Sequence, residues 1–275
     1  MKLLNGRELA DFIKERQAHQ VRGLIQHDKV KPKLAIVTTS RADHENLPIE
    51  TYMRMKQKYA DDILIDTEIF RAPQDDLLEI VEKINNDPEI HGVIIQLPLE
   101  NINQTDEIVN AVAPEKDVDA LGQNAILDPA TPMAINWLLA GYNVDLTQKH
   151  IAIVGNGRLV GKPLARMWRN SGLDVEVMDR KTENLHEKLL SSDVIVTATG
   201  VPNLITSDDV KFGAVVVDAG TAAEHGKIVG DVSEELRARD DIKITPQIGG
   251  VGPLTISALM DNVIRTARAT IKSNN

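Results

Sequence analysis

The feature that most constrains this fold is a short apolar strand that runs directly into a glycine-rich turn. Residues Ile151–Val154 are all apolar, which is typical of a strand buried inside a parallel sheet. The turn that follows contains Gly155, Gly157 and Gly161, and apolar residues then recur at helical spacing. A strand, a glycine-rich turn and a helix in this order predict the first unit of a dinucleotide-binding domain. An ordinary tight turn is the alternative, because a loose glycine pattern alone is weak evidence.

The same unit predicts how a dinucleotide would be held. Glycine allows positive φ and lets a phosphate approach the main chain, and the next helix offers unpaired N–H groups to a pyrophosphate. A second strand over residues 174–178 ends at Asp179, where a carboxylate can accept hydrogen bonds from ribose hydroxyls. A solvated strand end is the alternative interpretation of Asp179. Gly200 and Gly220 also follow predicted strands, which favours a ligand site along this edge of the sheet.

The composition excludes several functional classes. With 275 residues, the chain is long enough for two α/β domains or one large domain. No apolar run reaches the about 18 residues of a transmembrane helix, and residues 1–6 lack the apolar core of a signal peptide, so no membrane partner is expected. The absence of cysteine excludes disulfides and a cysteine nucleophile and favours a cytoplasmic location. A net charge of −10 argues against nucleic-acid partners, and the seven histidines lack metal-ligand spacing.

Predicted strands and helices alternate along the chain, which indicates parallel sheets with crossover helices. The strands are predicted at residues 34–37, 63–65, 93–96, 151–154, 174–178, 194–197 and 214–217. The helices are predicted at about residues 7–27, 75–84, 105–112, 131–139 and 183–190, with a last helix that ends near residue 271. A long polar loop at 38–47 precedes a further helix, on which Tyr52 and Lys56 share a face. Thr131 is predicted to cap the helix that Gly141 ends.

Five sequence segments, in order, carry a resemblance to a known family. They are Tyr52 with Lys56, and residues 92–99, 116–119, 160–163 and 249–255. With these segments at matching separations, the chain resembles the bifunctional methylenetetrahydrofolate dehydrogenase/cyclohydrolase family along nearly its whole length. The resemblance implies an α/β fold of two domains. Residues 1–130 would form a folate-binding α/β catalytic domain, to which a C-terminal helix over 254–275 returns, and residues 131–253 a Rossmann-type NAD(P)-binding domain.

The resemblance implies two successive reactions. 5,10-Methylenetetrahydrofolate loses a hydride to a nicotinamide cofactor, and water then opens the methenyl cation to 10-formyltetrahydrofolate. The first step mainly requires positioning, because nitrogen stabilises the product cation. The second step moves protons and needs a group that titrates near neutrality, which in this family is the lysine that matches Lys56. Burial in a partly desolvated site would lower the pKa of this lysine.

Further roles follow from the same resemblance. Gln96 is implied to hydrogen-bond to Lys56, and Asp119 to bind the amino-pyrimidine edge of the pterin. Tyr52 is implied to line the same site. The implied folate-binding residues are Tyr52, Gln96, Leu97, Pro98, Asp119, Gly250, Pro253 and Thr255. Without the resemblance, Lys56 would be interpreted as a solvated lysine, Tyr52 as a packing residue and Asp119 as a turn residue.

The cofactor prediction rests on the glycine-rich turn and the neighbouring strand ends. The predicted cofactor-binding residues are Gly155, Asn156, Gly157, Arg158, Val160, Gly161, Asp179, Arg180, Thr199, Gly200, Gly220 and Thr221. Family members commonly have Gly-Arg-Ser where this chain has Gly-Asn-Gly at 155–157, and that arginine lies near the 2′-phosphate of NADP. Its absence, together with the charge of Asp179, favours NAD. NADP is the alternative, because Arg158 or Arg180 could replace the missing arginine.

Departures from the family pattern around the implied folate site leave other functions open. Ile49 replaces a usual serine, and a usual Val-Pro is replaced at 247–248. The segment between Asp119 and Pro129 is shorter than in typical members. One alternative is therefore a dehydrogenase with weak or no cyclohydrolase activity, or one that acts on another pterin. The other is a non-catalytic nucleotide-binding regulatory module. The resemblance also implies a homodimer.

Overall fold

The computed structural model describes residues 2–39, 47–224 and 227–273. Its strands are β1 (Lys2–Leu3), β2 (Lys33–Thr39), β3 (Asp66–Ala72), β4 (Gly92–Ile95), β5 (Ile151–Val154), β6 (Val175–Met178), β7 (Val194–Thr197), β8 (Val215–Asp218), β9 (Ala222–Glu224), β10 (Lys227–Val229) and β11 (Lys243–Ile244). Its helices are α1 (Gly6–Gly23), α2 (Leu47–Asp62), α3 (Leu77–Asn86), α4 (Thr105–Asn110), α5 (Ala130–Gly141), α6 (Gly161–Asn170), α7 (Leu185–Ser191), α8 (Glu234–Arg237) and α9 (Val251–Ser273). Across these residues, every helix is too short or too polar to span a bilayer.

The chain divides into two units, each built around its own parallel sheet. One unit comprises Met1–Ala10 and Thr131–Thr255, and the other comprises Asp11–Ala130 and Ile256–Asn275. The α/β class with parallel sheets, which the alternation of elements predicted, is confirmed. The polar loop predicted at residues 38–47 lies largely outside the described residues.

The first unit, with Met1–Ala10 and Thr131–Thr255, contains a six-stranded sheet in the order β1-β11-β8-β7-β5-β6. Every strand pairing in this sheet is parallel. All residues of β5 and of β7 are buried, which explains their nearly continuous apolar sequences. The chain passes from β5 to β6 on one side and then crosses to β7 on the other, so the strand order reverses at β5. Ligands of open α/β sheets bind at such a reversal, outside the carboxyl ends of the strands.

The second unit contains a three-stranded parallel sheet in the order β3-β2-β4. The central strand β2 is buried at all but its first residue. Helices α3 and α4 cover one face of the sheet through a cluster of buried apolar side chains. Members of this cluster include Ala35, Val37, Leu77, Val81, Ile84, Val93, Ile95, Ile108 and Val109. Alternate residues of β2 and β4 belong to this cluster, because successive side chains of a strand point to opposite faces of the sheet.

A polar contact joins three helices inside the second unit. The Tyr59 hydroxyl of α2 donates to Gln17 Oε1 of α1 at 2.9 Å and lies 3.0 Å from Ser257 Oγ of α9. Gln17 is fully buried and donates from Nε2 to the Ser257 carbonyl oxygen at 2.8 Å. Burial raises the pKa of Tyr59 to about 12. The hydroxyl therefore stays protonated, and able to donate, far above neutral pH.

The predicted strand at 63–65 is wrong. Helix α2 ends at Asp62, and Leu64 adopts a positive φ of 66° in a turn that leads to β3 at Asp66. Ile63 and Ile65 are fully or almost fully buried in this turn, so their apolar character reports packing and not a strand. In the part of the chain that the structure describes, β3 pairs only with β2 and is partly exposed, and its sequence therefore lacks a strong apolar pattern.

Three further differences concern short strands, a helix start and a helix end. The strands β1, β9, β10 and β11 were not predicted, because runs of two or three residues carry too little periodicity. Helix α5 begins at Ala130, so Thr131 lies inside its first turn and is not the capping residue. Helix α1 ends earlier than predicted and continues as a π-helical turn over Leu24–Asp28.

Replacing Tyr59 by Phe should destabilise the protein. The substitution leaves Gln17 Oε1 without its hydroxyl donor in a buried position, a loss of about 1–2 kcal/mol. The measurement is the urea midpoint at neutral pH. The wild-type stability should also fall as the pH rises from about 10 towards about 12, because the unfolded tyrosine loses its proton before the folded one. Tyr59→Phe should weaken this alkaline loss.

The matched control is Met55→Leu, at a position on α2 where the side chain is 42% exposed. This variant should keep the wild-type midpoint and its alkaline dependence. An unchanged midpoint in Tyr59→Phe would show that the three-helix contact contributes nothing to stability.

Candidate functional site

The second unit brings Lys56, Gln96 and Asp119 together. Lys56 lies on α2, and its Nζ donates to Gln96 Oε1 at 3.0 Å. Gln96 directly follows β4, and its N–H extends the sheet by donating to the Val37 carbonyl oxygen at 2.8 Å. The Gln96 side chain is held from both ends, since its Nε2 donates to the Leu97 carbonyl oxygen at 3.0 Å. The amide oxygen is thereby directed at the lysine.

Burial controls the charge of this cluster. It lowers the pKa of Lys56, and the negative charge of Asp119 opposes that shift. Reciprocally, burial raises the pKa of Asp119, and the positive charge of Lys56 opposes it. Tyr52, one helical turn before Lys56, also has a raised pKa because of burial. The lysine is therefore neutral more often than a solvated lysine at the same pH, as proton transfer requires.

The loop that carries Asp119 is held by its neighbours in sequence. Lys116 donates from Nζ to two backbone carbonyl oxygens at 2.9 and 2.6 Å. Asp117 is buried and accepts the N–H groups of Leu121 and Gly122 at 3.3 and 2.8 Å. Both side chains are therefore engaged in holding the backbone. Within the segment 116–119, these contacts leave Asp119 as the carboxylate that faces Lys56.

One residue that supports this loop was missed in the sequence. Asn262 of α9 is fully buried and donates from Nδ2 to the carbonyl oxygens of Val118 and Asp128, both at 2.9 Å. It thereby fixes the backbone immediately before Asp119. The available signal was a single amide side chain inside the apolar sequence of α9, which gives no information about its partners.

Leu97 and Pro98, predicted to contact folate, follow Gln96 directly. The peptide bond between them is cis. Leu97 is half-buried and packs against the apolar cluster of the sheet, whereas Pro98 is exposed. The side chain of Leu97 thus has a packing role in addition to any contact with a ligand.

In the first unit, the glycine-rich turn forms a close crossing of backbones. Gly155 has a φ of +106°, and a Cβ there would lie 2.5 Å from the carbonyl oxygen of Ala198, after β7. A Cβ on Gly161 would lie 1.7 Å from the Gly155 carbonyl oxygen. No side chain fits at either position. A Cβ on Gly157 would meet no atom within 4 Å, so this part of the turn is open. The turn therefore offers backbone N–H groups and the start of α6 to an approaching phosphate, as a dinucleotide requires.

The strand beside this turn brings Asp179 to it. The Gly155 N–H donates to the Met178 carbonyl oxygen at 2.8 Å. Asp179, which follows Met178 in sequence, therefore lies beside the glycine-rich turn. One oxygen of Asp179 accepts the Lys181 N–H at 2.8 Å. Val160 is half-exposed and precedes α6. Five of the predicted cofactor-binding residues are exposed at this edge: Asn156, Gly157, Arg158, Asp179 and Arg180.

The loops after β7 and β8 complete the same edge of the sheet. Gly200 has a φ of +69°, and a Cβ there would lie 3.5 Å from the Thr221 carbonyl oxygen. Thr199 precedes it, and its hydroxyl accepts the Val201 N–H at 3.1 Å. Gly220 follows β8 and is only partly exposed. These predicted residues therefore lie at adjacent strand ends.

A buried acidic network, which we call the Asp231 network, lies beneath these loops and consists of Asp218, Asp231 and Arg237. Asp231 is fully buried and accepts the Thr197 hydroxyl and the Thr199 N–H, both at 2.6 Å. Asp218 pairs with Arg237 and accepts the Asp231 N–H at 3.1 Å. Burial raises the pKa of Asp218, and the charge of Arg237 opposes this shift. Sequence analysis assigned the network no role, because its only signal was an acidic residue near glycine at two places.

Gly250, Pro253 and Thr255 lie at the start of α9 and belong to the first unit. Gly249 has a φ of +89°, and its carbonyl oxygen accepts the Arg7 N–H at 3.0 Å. Thr255 donates from its hydroxyl to the Val251 carbonyl oxygen at 3.3 Å, inside the helix. The predicted folate-binding residues are thus divided between the two units, with Tyr52, Gln96 and Asp119 in the other one.

Comparisons with known proteins match nearly the whole chain. The family model for the catalytic domain of tetrahydrofolate dehydrogenase/cyclohydrolase matches residues 4–119, and that for its NAD(P)-binding domain matches residues 129–271. The bifunctional protein FolD of Exiguobacterium sibiricum is 34% identical over 280 residues, which cover 97% of this chain and 99% of that protein.

Solved structures agree with these matches. The bifunctional enzyme FolD of Campylobacter jejuni has a TM-score of 0.90 and 33% identity, covering 98% of this chain and 99% of that one. The methylenetetrahydrofolate dehydrogenase-cyclohydrolase of Trypanosoma brucei, solved with NADP and an inhibitor, has a TM-score of 0.90 and 28% identity over 98% of both chains.

The resemblance carried by the five sequence segments is confirmed. The first family model covers Lys56, Gln96 and Asp119, and the second covers the glycine-rich turn and Asp179. Since both halves of the chain match both halves of one bifunctional architecture, this enzyme belongs to the tetrahydrofolate dehydrogenase/cyclohydrolase family.

Proposed function

We propose that this enzyme oxidises 5,10-methylenetetrahydrofolate to the 5,10-methenyl cation and then hydrolyses that cation to 10-formyltetrahydrofolate. The observation that carries the proposal is the half-buried Lys56, whose Nζ lies 3.0 Å from Gln96 Oε1 and whose pKa is lowered by desolvation against the opposing charge of Asp119. Lysine, amide and carboxylate together supply a proton acceptor, a group that orients it and a partner for a pterin. Family membership supplies the substrate class.

In the hydrolysis, Lys56 takes the proton. A water oxygen bonds to the methenyl carbon while the neutral Lys56 amine removes a proton from that water. The bond from this carbon to N5 then breaks with its electron pair on N5, which takes up a proton while the new hydroxyl group loses its own, and this leaves the formyl group on N10. The net reaction consumes one water and releases one proton. Gln96 holds the lysine so that its lone pair is directed at the water.

Asp119 binds the pterin. The amino-pyrimidine ring presents an amino group and a ring N–H on one edge, and a carboxylate accepts two parallel N–H bonds of that kind. Tyr52, half-buried on the same face of α2, packs beside it. These contacts fix the orientation of the one-carbon unit for both reactions.

In the oxidation, a nicotinamide cofactor bound to this chain would supply the acceptor for the hydride that leaves the methylene carbon of the folate. The chain supplies the binding site. Gly155 and Gly161 allow the pyrophosphate to approach the backbone at the start of α6. Asp179 accepts hydrogen bonds from the ribose hydroxyls of the adenosine and repels a 2′-phosphate there. We therefore favour NAD. NADP is the second candidate, because the Trypanosoma brucei relative was solved with it.

The domain assignment, the location and the assembly state belong to the same proposal. Residues 1–130 with 254–275 would bind folate, and residues 131–253 would bind the cofactor. The two units support this division except at Met1–Ala10, which group with Thr131–Thr255. The two family models also divide the chain between residues 119 and 129, but the second one extends to residue 271. A homodimer and a cytoplasmic location follow from the resemblance and the lack of cysteine.

Replacing Lys56 by Met should abolish most of the hydrolysis. The loss of a positioned proton acceptor lowers kcat for methenyltetrahydrofolate by about 10²–10⁴-fold. Hydride transfer from methylenetetrahydrofolate needs little acid–base help and should fall much less. Separate spectrophotometric assays of the two steps provide the measurement.

The matched control is Lys58→Met, which removes an exposed lysine two residues further along α2. It should leave both activities unchanged. If Lys56→Met hydrolysed methenyltetrahydrofolate at the wild-type rate, the role of this lysine would be refuted. If the wild-type enzyme transferred hydride but showed no hydrolysis, a dehydrogenase without cyclohydrolase activity would be favoured.

Replacing Asp119 by Asn should shift the pH dependence of hydrolysis. At saturating substrate, kcat should rise with pH as Lys56 loses its proton. The charge of Asp119 raises the pKa of Lys56, so its removal should move this rise to lower pH. The KM for folate should increase, because a pterin contact is lost. Asp128→Asn, a charge change at an exposed position of the same unit, should alter neither quantity. A shift to higher pH in Asp119→Asn would contradict the assignment.

Replacing Asp179 by Asn should reduce the preference for NAD over NADP. Removal of the charge weakens repulsion of a 2′-phosphate and weakens the ribose contact, so the ratio of kcat/KM values should narrow about tenfold, or about 1.4 kcal/mol. Asp174→Asn, at the exposed start of the same strand, is the control and should leave the ratio unchanged. A wild-type enzyme that already prefers NADP strongly would contradict the proposed role of Asp179.

A further inference from the structure

We propose that Asp231 is a positioning residue that holds the loops after β7 and β8 in the conformation that binds the nicotinamide cofactor. The inference rests on the proposed cofactor site and adds a residue to it that sequence analysis did not assign. Asp231 itself is fully buried and so does not touch the cofactor. Its effect is exerted through the two loops.

Asp231 is itself held rigidly. Its carbonyl oxygen accepts the Ile205 N–H at 3.0 Å, and its own N–H donates to Asp218 Oδ1 at 3.1 Å. The next residue, Val232, donates its N–H to Asp218 Oδ2 at 3.2 Å. Arg237 pairs with that oxygen and also donates to the Thr245 carbonyl oxygen at 2.8 Å. The carboxylate of Asp231 therefore projects from a backbone that has little freedom.

Asp231 fixes the loop after β7. Its Oδ2 accepts the hydroxyl of Thr197, the last residue of β7, and the N–H of Thr199, both at 2.6 Å. Thr199 in turn packs on the glycine-rich turn, since its Cγ2 would lie 3.2 Å from a Cβ on Gly155. One carboxylate oxygen thus sets the distance between this loop and the turn that receives the pyrophosphate.

Asp231 also lies directly against the loop after β8. A Cβ on Gly220 would lie only 2.0 Å from Asp231 Oδ1, so the backbone at Gly220 rests on the carboxylate. The Gly220 N–H donates to Asp218 Oδ1 at 3.0 Å. Both loops that carry predicted cofactor residues are therefore in contact with the same buried group.

The energetics of the Asp231 network favour a role of Asp231 in positioning over a role in stability. A buried ionic cluster contributes little net stability, because desolvation of the charges offsets their attraction. In addition, Asp231 Oδ1 has no hydrogen-bond donor among the described residues, which is a further cost. Directed hydrogen bonds to two loops give a fixed geometry that apolar packing at this position would not supply.

The location explains which part of the cofactor is affected. The strand order reverses at β5, with β6 and Asp179 on one side and β7 and β8 on the other. Asp179 is proposed to bind the adenosine ribose, so the loops after β7 and β8 receive the nicotinamide half. The Asp231 network therefore supports the half of the cofactor that reacts.

The test compares Asp231→Ala with Asp231→Asn by direct titration of the purified full-length enzyme with NAD. Asp231→Ala removes the acceptor and should raise the dissociation constant at least tenfold. Asp231→Asn retains an acceptor oxygen for Thr197 and Thr199 and should raise it clearly less. Hydrolysis of methenyltetrahydrofolate uses no cofactor and should stay within twofold of the wild type in both variants. If Asp231→Ala does not fold, Thr197→Val, which removes one donor to Oδ2, should raise the constant about threefold.

The matched control is Asp209→Ala. Asp209 Oδ2 also accepts one hydroxyl and one N–H, both from Thr206 at 2.7 Å, but at a helical turn before β8 and away from the proposed cofactor edge. Asp209→Ala should lower the thermal midpoint of unfolding without changing the affinity for NAD. An unchanged dissociation constant in Asp231→Ala, or in Thr197→Val in its place, would overturn the inference. Equal weakening by Asp209→Ala would do the same. A wild-type enzyme that binds neither NAD nor NADP would instead refute the proposed cofactor site.

Discussion

Parallel pairing of strands is the constraint on which both candidate sites depend. In the six-stranded sheet and in the three-stranded sheet, every described pairing is parallel. Parallel strands bring their carboxyl ends to one edge, where the backbone is free to turn towards a ligand. Gly155, Thr199 and Gly220 therefore gather at one edge of the larger sheet. Gln96 leaves the smaller sheet in the same way, at the end of β4.

Each unit contains a desolvated ionisable side chain that is held by directed hydrogen bonds. In one unit, Lys56 donates a hydrogen bond to Gln96 and interacts with the charge of Asp119. Desolvation therefore lowers the pKa of this lysine while its amine keeps a hydrogen-bond partner. In the other, Asp231 accepts two donors from the end of β7. The two charges serve different purposes. The pKa of the lysine is lowered, which favours the neutral amine, whereas the carboxylate gives a loop a fixed geometry.

Supporting residues differ from reacting residues in how far the sequence reveals them. Lys116 and Asp117 lie in a recognised segment, yet their side chains bind backbone groups and hold the loop of Asp119. Asn262 and Asp231 perform similar work from distant parts of the chain. A single buried polar residue has no periodicity and no neighbouring pattern, so nothing local indicates its partner. The wrong prediction of a strand at 63–65 has a related cause, because the sequence of buried isoleucines in a turn resembles that of a short strand.

The sequence by itself determined the α/β class, the strand Ile151–Val154, the glycine-rich turn and the shared helical face of Tyr52 and Lys56. These are local properties, set by apolar runs, by the positive φ of glycine and by helical spacing. Only the tertiary structure decided that Lys56 Nζ lies 3.0 Å from Gln96 Oε1, across 40 residues of sequence, and that burial lowers the pKa of this lysine. Desolvation exists only once α2, β4 and the loop of Asp119 have packed together, and no pattern within one segment contains it.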